Sequence, residues 1–358
     1  MRTHRIAVIA GDGIGPDVLS EGRRVLDAAA KVHGGFELEY QEFPWSCQYY
    51  LEHGRMAPPD FLDTLRGFDA IYLGAVGYPG VPDHVSLWEL LLPIRKAFSQ
   101  YVNLRPVRLL KGIQTPLANR GPNDIDFVCV RENTEGEYSG AGGRVQVGTP
   151  AEVALQTGVF TRLGVERIIV YAFELARNRQ RKKVTSATKS NALNYSMVFW
   201  DEVFAEVAQR YPDVETEKWH TDALAARFIT HPQTLDVVVA SNLFADILTD
   251  IGAAIQGSMG TAASANLDPF KKYPSMFEPV HGSAPDIAGQ GIANPIGAIW
   301  AGAMMLDTLG ESEAAGRVMR ALEETTGSGQ ALTRDVGGSA TTTQAGQAVA
   351  ARVLASGA

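Results

Sequence analysis

The strongest constraint on this chain is a rhythm: short apolar runs alternate with stretches that are apolar on one helical face. Ile6 to Ala10 reads as a buried strand, and Pro16 suits the first turn of a helix. Val18, Leu19, Gly22, Val25, Leu26 and Ala29 follow at helical spacing, and Gly34-Gly35 closes that helix. Phe36 to Phe43 alternates like a strand, Pro58-Pro59 opens a short helix through Leu62 and Leu65, and Ala70 to Leu73 is another buried strand. Trp88 to Phe98 is helical, with Pro93 kinking or dividing it. A βαβα order of this kind implies an α/β fold with a largely parallel sheet.

The middle of the chain differs. Phe127 to Val130 is a strand, and the glycine-rich stretch Gly136 to Val147 reads as a projecting hairpin or arm. Val165, Ile168, Ile169, Ala172, Phe173 and Ala176 form one apolar helical face. Lys183 to Thr188, Val214 to Trp219 and Val237 to Ala240 are further strands, and a loop-rich stretch runs from Gly257 to Pro295. Helices around Ile296 to Leu309, Ala314 to Glu324 and Gln344 to Leu354 finish the chain. With 358 residues, two domains are expected at about 150 residues each. No linker separates them, so the chain is expected to leave one domain and return to it.

Composition excludes several classes. The net charge of −8 disfavours nucleic acid as a partner. No segment reaches the roughly 18 apolar residues of a membrane span, since the best candidate, Ile296 to Leu306, stops at Asp307. The apolar start runs into Gly11-Asp12-Gly13 rather than a cleavage site, so a cytoplasmic protein is expected. Two cysteines, Cys47 and Cys129, do not make a disulfide framework.

Several residue groups are candidates for chemistry. Gly11-Asp-Gly-Ile-Gly15 misses the G-x-G-x-x-G dinucleotide spacing and reads as a tight turn between strand and helix. Asp246 and Asp250 lie one helical turn apart, and a divalent cation would offset their repulsion; a solvated helix face explains the spacing equally well. Arg95, Arg105, Arg108, Arg120 and Arg131 suit a di- or tricarboxylate anion, or ordinary surface charge. The basic run Arg177 to Lys183 reads as a solvated helix end. The polar loop Glu278 to Pro295 is long enough to wrap a nucleotide, with Asp286 able to accept from ribose hydroxyls.

Taken in order, these segments resemble the β-decarboxylating dehydrogenase family of isocitrate and 3-isopropylmalate dehydrogenases. The marks are Gly11-Asp-Gly-Ile-Gly-Pro16, Asn103-Leu-Arg-Pro106, Arg131-Glu-Asn-Thr-Glu-Gly136 with Tyr138, Lys189-Ser-Asn191, Asp222, Asn242 to Asp250, and Glu278 to Pro295. They span essentially the whole chain. The resemblance implies an isopropylmalate dehydrogenase-like two-domain fold with a shared central sheet, not a Rossmann fold. It implies a cofactor-binding domain from 1–103 and 259–358. It places dimerisation and metal binding in 104–258, with the arm at 136–148. It further implies a homodimer with shared active sites.

The same resemblance assigns roles. Asp246, Asp250 and the partner's Asp222 would hold Mg²⁺ or Mn²⁺; Lys189 would take the proton of the substrate's 2-hydroxyl; Tyr138, linked to Lys189, would protonate the enol carbon. Arg95, Arg105 and Arg131 would bind substrate carboxylates. Glu278, His281, Gly282, Ser283, Ala284, Asp286 and Asn294 would bind the cofactor, with Asp286 favouring NAD over NADP. K⁺ activation is compatible with the resemblance. The segments Trp45 to Tyr50 and Gly77 to Trp88 point to the branch of the family that acts on D-malate and tartrate. Trp88, one turn before Leu91-Leu92, is expected to shorten the substrate pocket to four carbons. The competing readings are a 3-isopropylmalate enzyme, a noncatalytic regulatory subunit of the family, and a metal-free hydroxyacid dehydrogenase. The regulatory reading requires lost acid/base or metal residues, yet all are present here.

Overall fold

The computed structural model describes residues 1–357 and contains twelve strands among them. They are β1 (Arg2–Gly11), β2 (Phe36–Glu42), β3 (Ala70–Ala75), β4 (Val102–Arg108), β5 (Asp126–Glu132), β6 (Gly136–Val145), β7 (Val153–Val159), β8 (Lys183–Thr188), β9 (Glu215–His220), β10 (Val237–Ala240), β11 (Ala263–Leu267) and β12 (Ser275–Pro279). The chain divides into two compact units. The first comprises residues 1–100, 106–125 and 253–358; the second comprises 101–105 and 126–252. Sequence reading places 104–258 together, but residues 106–125 group with the chain ends. There Arg108 N donates to Gln256 Oε1 and Leu109 N to Ile125 O.

In the first unit the strand order is β2-β1-β3-β12-β11. All neighbours are parallel except the antiparallel β11–β12 pair. Helix Gly15–His33 follows β1 directly. Pro16 sits in its first turn, where a missing N–H costs nothing, and Gly34 ends it at φ 69° with its N–H on Ala30 O. Val18, Leu19, Val25, Leu26 and Ala29 form its buried face, as the spacing requires. Ala7, Ile9, Ile71 and Leu73 meet Trp45, Phe61, Leu90, Leu91 and Ile94 in one apolar core. Pro93 does not divide the Trp88–Phe98 stretch: helical backbone runs unbroken from Asp83 to Ala97, and a π-turn over Leu87–Leu91 just before the proline accommodates it. Two expectations need correction. The first strand begins at Arg2, four residues before the apolar run, because its pairing with β2 starts there. The stretch after Gly257 is not all loop, since β11 and β12 are wholly buried within it. Their polar Asn266 and Glu278 satisfy each other at 2.7 Å, which hides a core pair behind a loop-like composition.

The second unit has strands β5-β10-β8-β9 in order, all parallel. Helix Arg162–Arg177 buries Val165, Ile168, Ile169, Ala172, Phe173 and Ala176. Thr161 caps it by accepting from Gly164 N at 3.0 Å. The basic run beyond its end is spent on ion pairs, Arg177 with Asp213 and Arg179 with Asp236 and Asp126, so it is a structural helix end. Strands β6 and β7 form a separate antiparallel hairpin with Val145, Val147, Val153 and Leu155 exposed. No helix is long and apolar enough to cross a membrane among the described residues.

Candidate active site

In the second unit, strand ends and one helix gather the charged residues. β5 delivers Arg131, only 2% exposed, at its carboxyl end. Helix Asn242–Ile255 begins just after β10, the neighbour of β5. Arg131 Nε and Nη2 donate to Asn242 Oδ1 at 3.0 and 2.8 Å, and Nη1 pairs with Asp246 Oδ1. Arg105, also buried, donates to Asn103 Oδ1 at 2.8 Å and Thr249 Oγ1 at 2.6 Å, with Nη2 3.7 Å from Asp246. The Tyr138 hydroxyl donates to Asp246 Oδ2 at 3.0 Å. Asp246 thus faces two guanidinium groups and a phenol.

Tyr138 arrives there because the chain turns back sharply after β5. Buried Glu132 accepts from Thr134 N at 2.9 Å, Thr134 Oγ1 at 2.8 Å and Glu135 N at 2.8 Å. Gly136 takes φ 72°, and Asn242 Nδ2 donates to Glu135 O at 3.0 Å. Burial, then the Asp246 charge, pushes the Tyr138 hydroxyl above the ordinary phenol range, so it stays protonated. Asp250, one turn beyond Asp246, makes no hydrogen bond or ion pair among the described residues. Desolvation raises its carboxyl pKa against the lowering effect of Arg105. Two carboxylates on one helical face, one of them unpartnered, are oxygen donors suited to a hard divalent cation.

Lys189 and Asp222 lie apart from this cluster. Lys189 follows β8, and Asp222 lies in the first turn of helix Thr221–Thr230, after β9. Lys189 Nζ donates to Asp222 Oδ1 at 2.9 Å and holds that carboxyl below its usual range. The pair is solvent-facing, with 70% of the Asp222 side chain exposed. Neither residue reaches Tyr138, Asp246 or Asp250 by a hydrogen bond. The expected Tyr138–Lys189 link is therefore absent within one chain, where Tyr138 bonds Asp246 instead. Nor does one chain gather three acidic, His or Cys side chains placed for a metal, among the described residues.

The first unit holds the remaining candidates. Arg95 is buried, and its Nη2 donates to Glu278 Oε1 at 2.9 Å. His281 Nδ1 lies 2.9 Å from Gly282 O, while Nε2 is shielded and lacks a partner. Desolvation lowers the His281 pKa, favouring a neutral ring with one nitrogen left for a ligand. Ser283 is buried, Gly282 is open, and Ala284 takes φ 41°. Asp286 is exposed, with no side-chain hydrogen bond or ion pair among the described residues. Asn294 Nδ2 donates to Asp335 Oδ2 at 3.0 Å, and its Oδ1 accepts from Ile296 N at 3.0 Å. An orphaned imidazole nitrogen, a free carboxylate and a polar loop fit a nucleotide cofactor. Leu90, Leu91 and Leu92 are buried, whereas Trp88 is 40% exposed with Lys96 Nζ 5.0 Å from its ring centroid. Arg108 pairs with Glu323 and Arg120 with Asp124, the surface role open to them. Sequence reasoning gave no role to Asn103, Glu132, Asn242, Thr249 and Asp335. The signal for Thr249 was available: it lies one turn after Ala245, on the helix that carries both aspartates.

Comparison with known proteins shows the family of the chain. The family model for isocitrate/isopropylmalate dehydrogenase matches residues 5–349. D-malate dehydrogenase [decarboxylating] of Escherichia coli is 56% identical, covering 99% of each chain. Tartrate dehydrogenase/decarboxylase of Pseudomonas putida is 54% identical over 96% of each, and a probable tartrate dehydrogenase/decarboxylase of Bacillus subtilis is 53% identical over 99% of each. The crystal structure of isocitrate dehydrogenase from Methylococcus capsulatus superposes with a TM-score of 0.87 at 36% identity, over 98% of this chain and 99% of that one. The chain belongs to the isocitrate/isopropylmalate dehydrogenase family, and its fold is that family's α/β fold rather than a Rossmann fold.

Proposed function

We propose that this family member oxidises the 2-hydroxyl of a small dicarboxylate, D-malate or tartrate, with NAD and a divalent metal, and decarboxylates the product; D-malate then gives pyruvate and CO₂. The enzyme class is that of its relatives, decarboxylating dehydrogenases acting on CH–OH. The observation that carries the reading is the Asp246 cluster: Arg105, Arg131 and Tyr138 converge on one carboxylate, with unpartnered Asp250 a turn away.

Asp246 and Asp250, joined by Asp222 of the partner subunit, would hold Mg²⁺ or Mn²⁺. Such an ion would supply a Lewis acid, and NAD would supply the hydride acceptor. Every other task falls to the chain. Arg95, Arg105 and Arg131 bind the substrate carboxylates through their forked donors. Lys189 of the partner subunit removes the 2-hydroxyl proton. Tyr138, kept protonated by its raised pKa, gives its proton to the enolate carbon. Asp286 accepts from the adenosine ribose hydroxyls and repels a 2′-phosphate, favouring NAD over NADP. The homodimer is supported by the exposed Lys189–Asp222 pair and by the apolar hairpin β6–β7, since an isolated hairpin is marginal in water.

The test is NADH formation and CO₂ release from D-malate, the tartrates and 3-isopropylmalate, each with and without a chelator. Turnover of D-malate or a tartrate that stops on chelation supports the reading. Turnover insensitive to chelation, or restricted to 3-isopropylmalate, contradicts it.

A further inference from the structure

The turn that fails the dinucleotide spacing has an organised interior. Asp12 is buried. Its Oδ2 accepts from Cys47 N and Gly77 N, both at 3.0 Å, and its Oδ1 accepts from Gln48 N at 3.3 Å. No cation pairs with it among the described residues, so these backbone donors replace its lost hydration. The same turn grips a different segment on its other side: Ile14 N donates to Ser283 O at 2.9 Å. The glycines permit that approach. A Cβ on Gly13 would lie 1.9 Å from Ser283 O, and one on Gly77 would lie 3.2 Å from Ser283 Oγ. Three segments therefore meet at one turn: helix Cys47–His53, the stretch that begins at Gly77, and the loop around Ser283. The first two belong to the stretches whose sequence points to substrates of the D-malate and tartrate type.

We propose that Asp12 is a positioning residue that couples occupancy of the cofactor loop to the order of the Gly77–Trp88 segment. The inference rests on the proposed cofactor role of residues 278–295. Asp12 is buried and acts through the Gly77, Cys47 and Gln48 amides. Nucleotide binding that orders the loop fixes Ser283, hence the turn, and hence the amides on Asp12. Asp12→Asn keeps the size but leaves one acceptor oxygen for three N–H groups and turns a new NH₂ toward them.

The experiment is hydrogen exchange on the wild-type protein with and without NAD, in the absence of substrate, followed by the same measurement on Asp12→Asn. The expected wild-type result is slowed exchange at 281–287 together with 45–54 and 76–88. In Asp12→Asn, protection by NAD persists at 281–287 and is lost in the other two segments. Its kcat/KM for D-malate falls roughly 10- to 100-fold, mostly through KM, as for a misplaced binding segment, while Mn²⁺ affinity is retained. No protection at 281–287 contradicts the cofactor assignment and overturns the coupling with it. Protection at 281–287 with unchanged exchange at 45–54 and 76–88 overturns the coupling alone. A folded Asp12→Asn protein with lowered melting temperature but wild-type KM and wild-type protection assigns Asp12 a structural role only. Should Asp12→Asn not fold, the wild-type arm decides by itself.

Discussion

The Asp246 cluster and the Lys189–Asp222 pair both join carboxylates to cationic side chains in the second unit, yet they are supported differently. Arg131 and Arg105 are buried, and each spends its donors on named acceptors: Asn242 and Asp246 for one, Asn103, Thr249 and Asp246 for the other. Lys189 and Asp222 pair with each other, with 70% of the Asp222 side chain exposed. The two buried guanidinium groups are preorganised by their bonds, while the Asp246 carboxylate they hold keeps 37% of its side chain open to solvent. An exposed pair contributes about 0–1 kcal/mol to stability and has little catalytic force while water screens it. On the proposed function, one half is a preorganised scaffold and the other a pair of functional groups held at a surface. In the proposed dimer the surface becomes an interior, and the exposed pair gains its low-dielectric setting.

The two halves should therefore fail differently when damaged, and the largest effect is expected at Lys189. Lys189→Ala should lower kcat by roughly 10²- to 10⁴-fold, the usual contribution of a positioned general base, with little change in melting temperature. A melting temperature reduced along with activity would show that the pair is structural. Asp246→Asn should behave oppositely in stability. It loses a charged partner of buried Arg131, and should weaken Mn²⁺ binding at least about tenfold while destabilising the fold by about 1–3 kcal/mol. Titration by Mn²⁺ paramagnetic resonance beside denaturant unfolding separates the two readouts.

Cofactor choice sharpens the comparison from the first unit, where the exposed Asp286 side chain has no hydrogen bond or ion pair among the described residues. Asp286→Ser should narrow the NAD/NADP preference by about tenfold in kcat/KM, equivalent to about 1.4 kcal/mol. Equal use of both cofactors by the wild type would show that Asp286 does not face the ribose.

The smallest effect concerns pH. The Asp250 pKa is raised in the folded protein, so the native state binds more protons than the unfolded one in that window. Its charge therefore costs stability above the folded pKa, and the cost is relieved as pH falls through it. Asp250→Asn should melt at the wild-type temperature or slightly higher near neutral pH, and should lose metal binding. Wild-type Mn²⁺ affinity should decline as pH falls through the raised pKa, since a protonated carboxyl is no ligand. A clearly destabilised Asp250→Asn protein would contradict the sign.

Much of this was legible in the sequence because local rules and tertiary demands agreed. The spacing of Val18 to Ala29 made a helix face, and Pro16 and Gly34 marked its ends. Where they disagreed, the sequence misled. Strands β11 and β12 carry Ser264, Asn266 and Glu278 in the core, so their polarity read as loop; hydrogen bonds from Asn266 and Arg95 to Glu278 help make the burial tolerable. The site residues were legible by type and motif, but their pairings were not. Nothing in the spacing of Arg131 and Asn242 says that one amide oxygen accepts two guanidinium N–H groups. Nor does the sequence show that Asp12 faces backbone amides from residues 47, 48 and 77. Long-range hydrogen bonds depend on how the chain closes, which periodicity does not encode.

The shared site is tested most directly by mixing two inactive proteins. Lys189→Ala chains keep Asp246 and Asp250, and Asp246→Asn chains keep Lys189 and Asp222. In a mixed dimer, one of two sites receives an intact set from both chains. Activity should return after subunit exchange and approach about half the wild-type value per mixed dimer, as two-fold symmetry requires. Confirmed exchange by mass spectrometry with no return of activity would contradict a site built from two subunits.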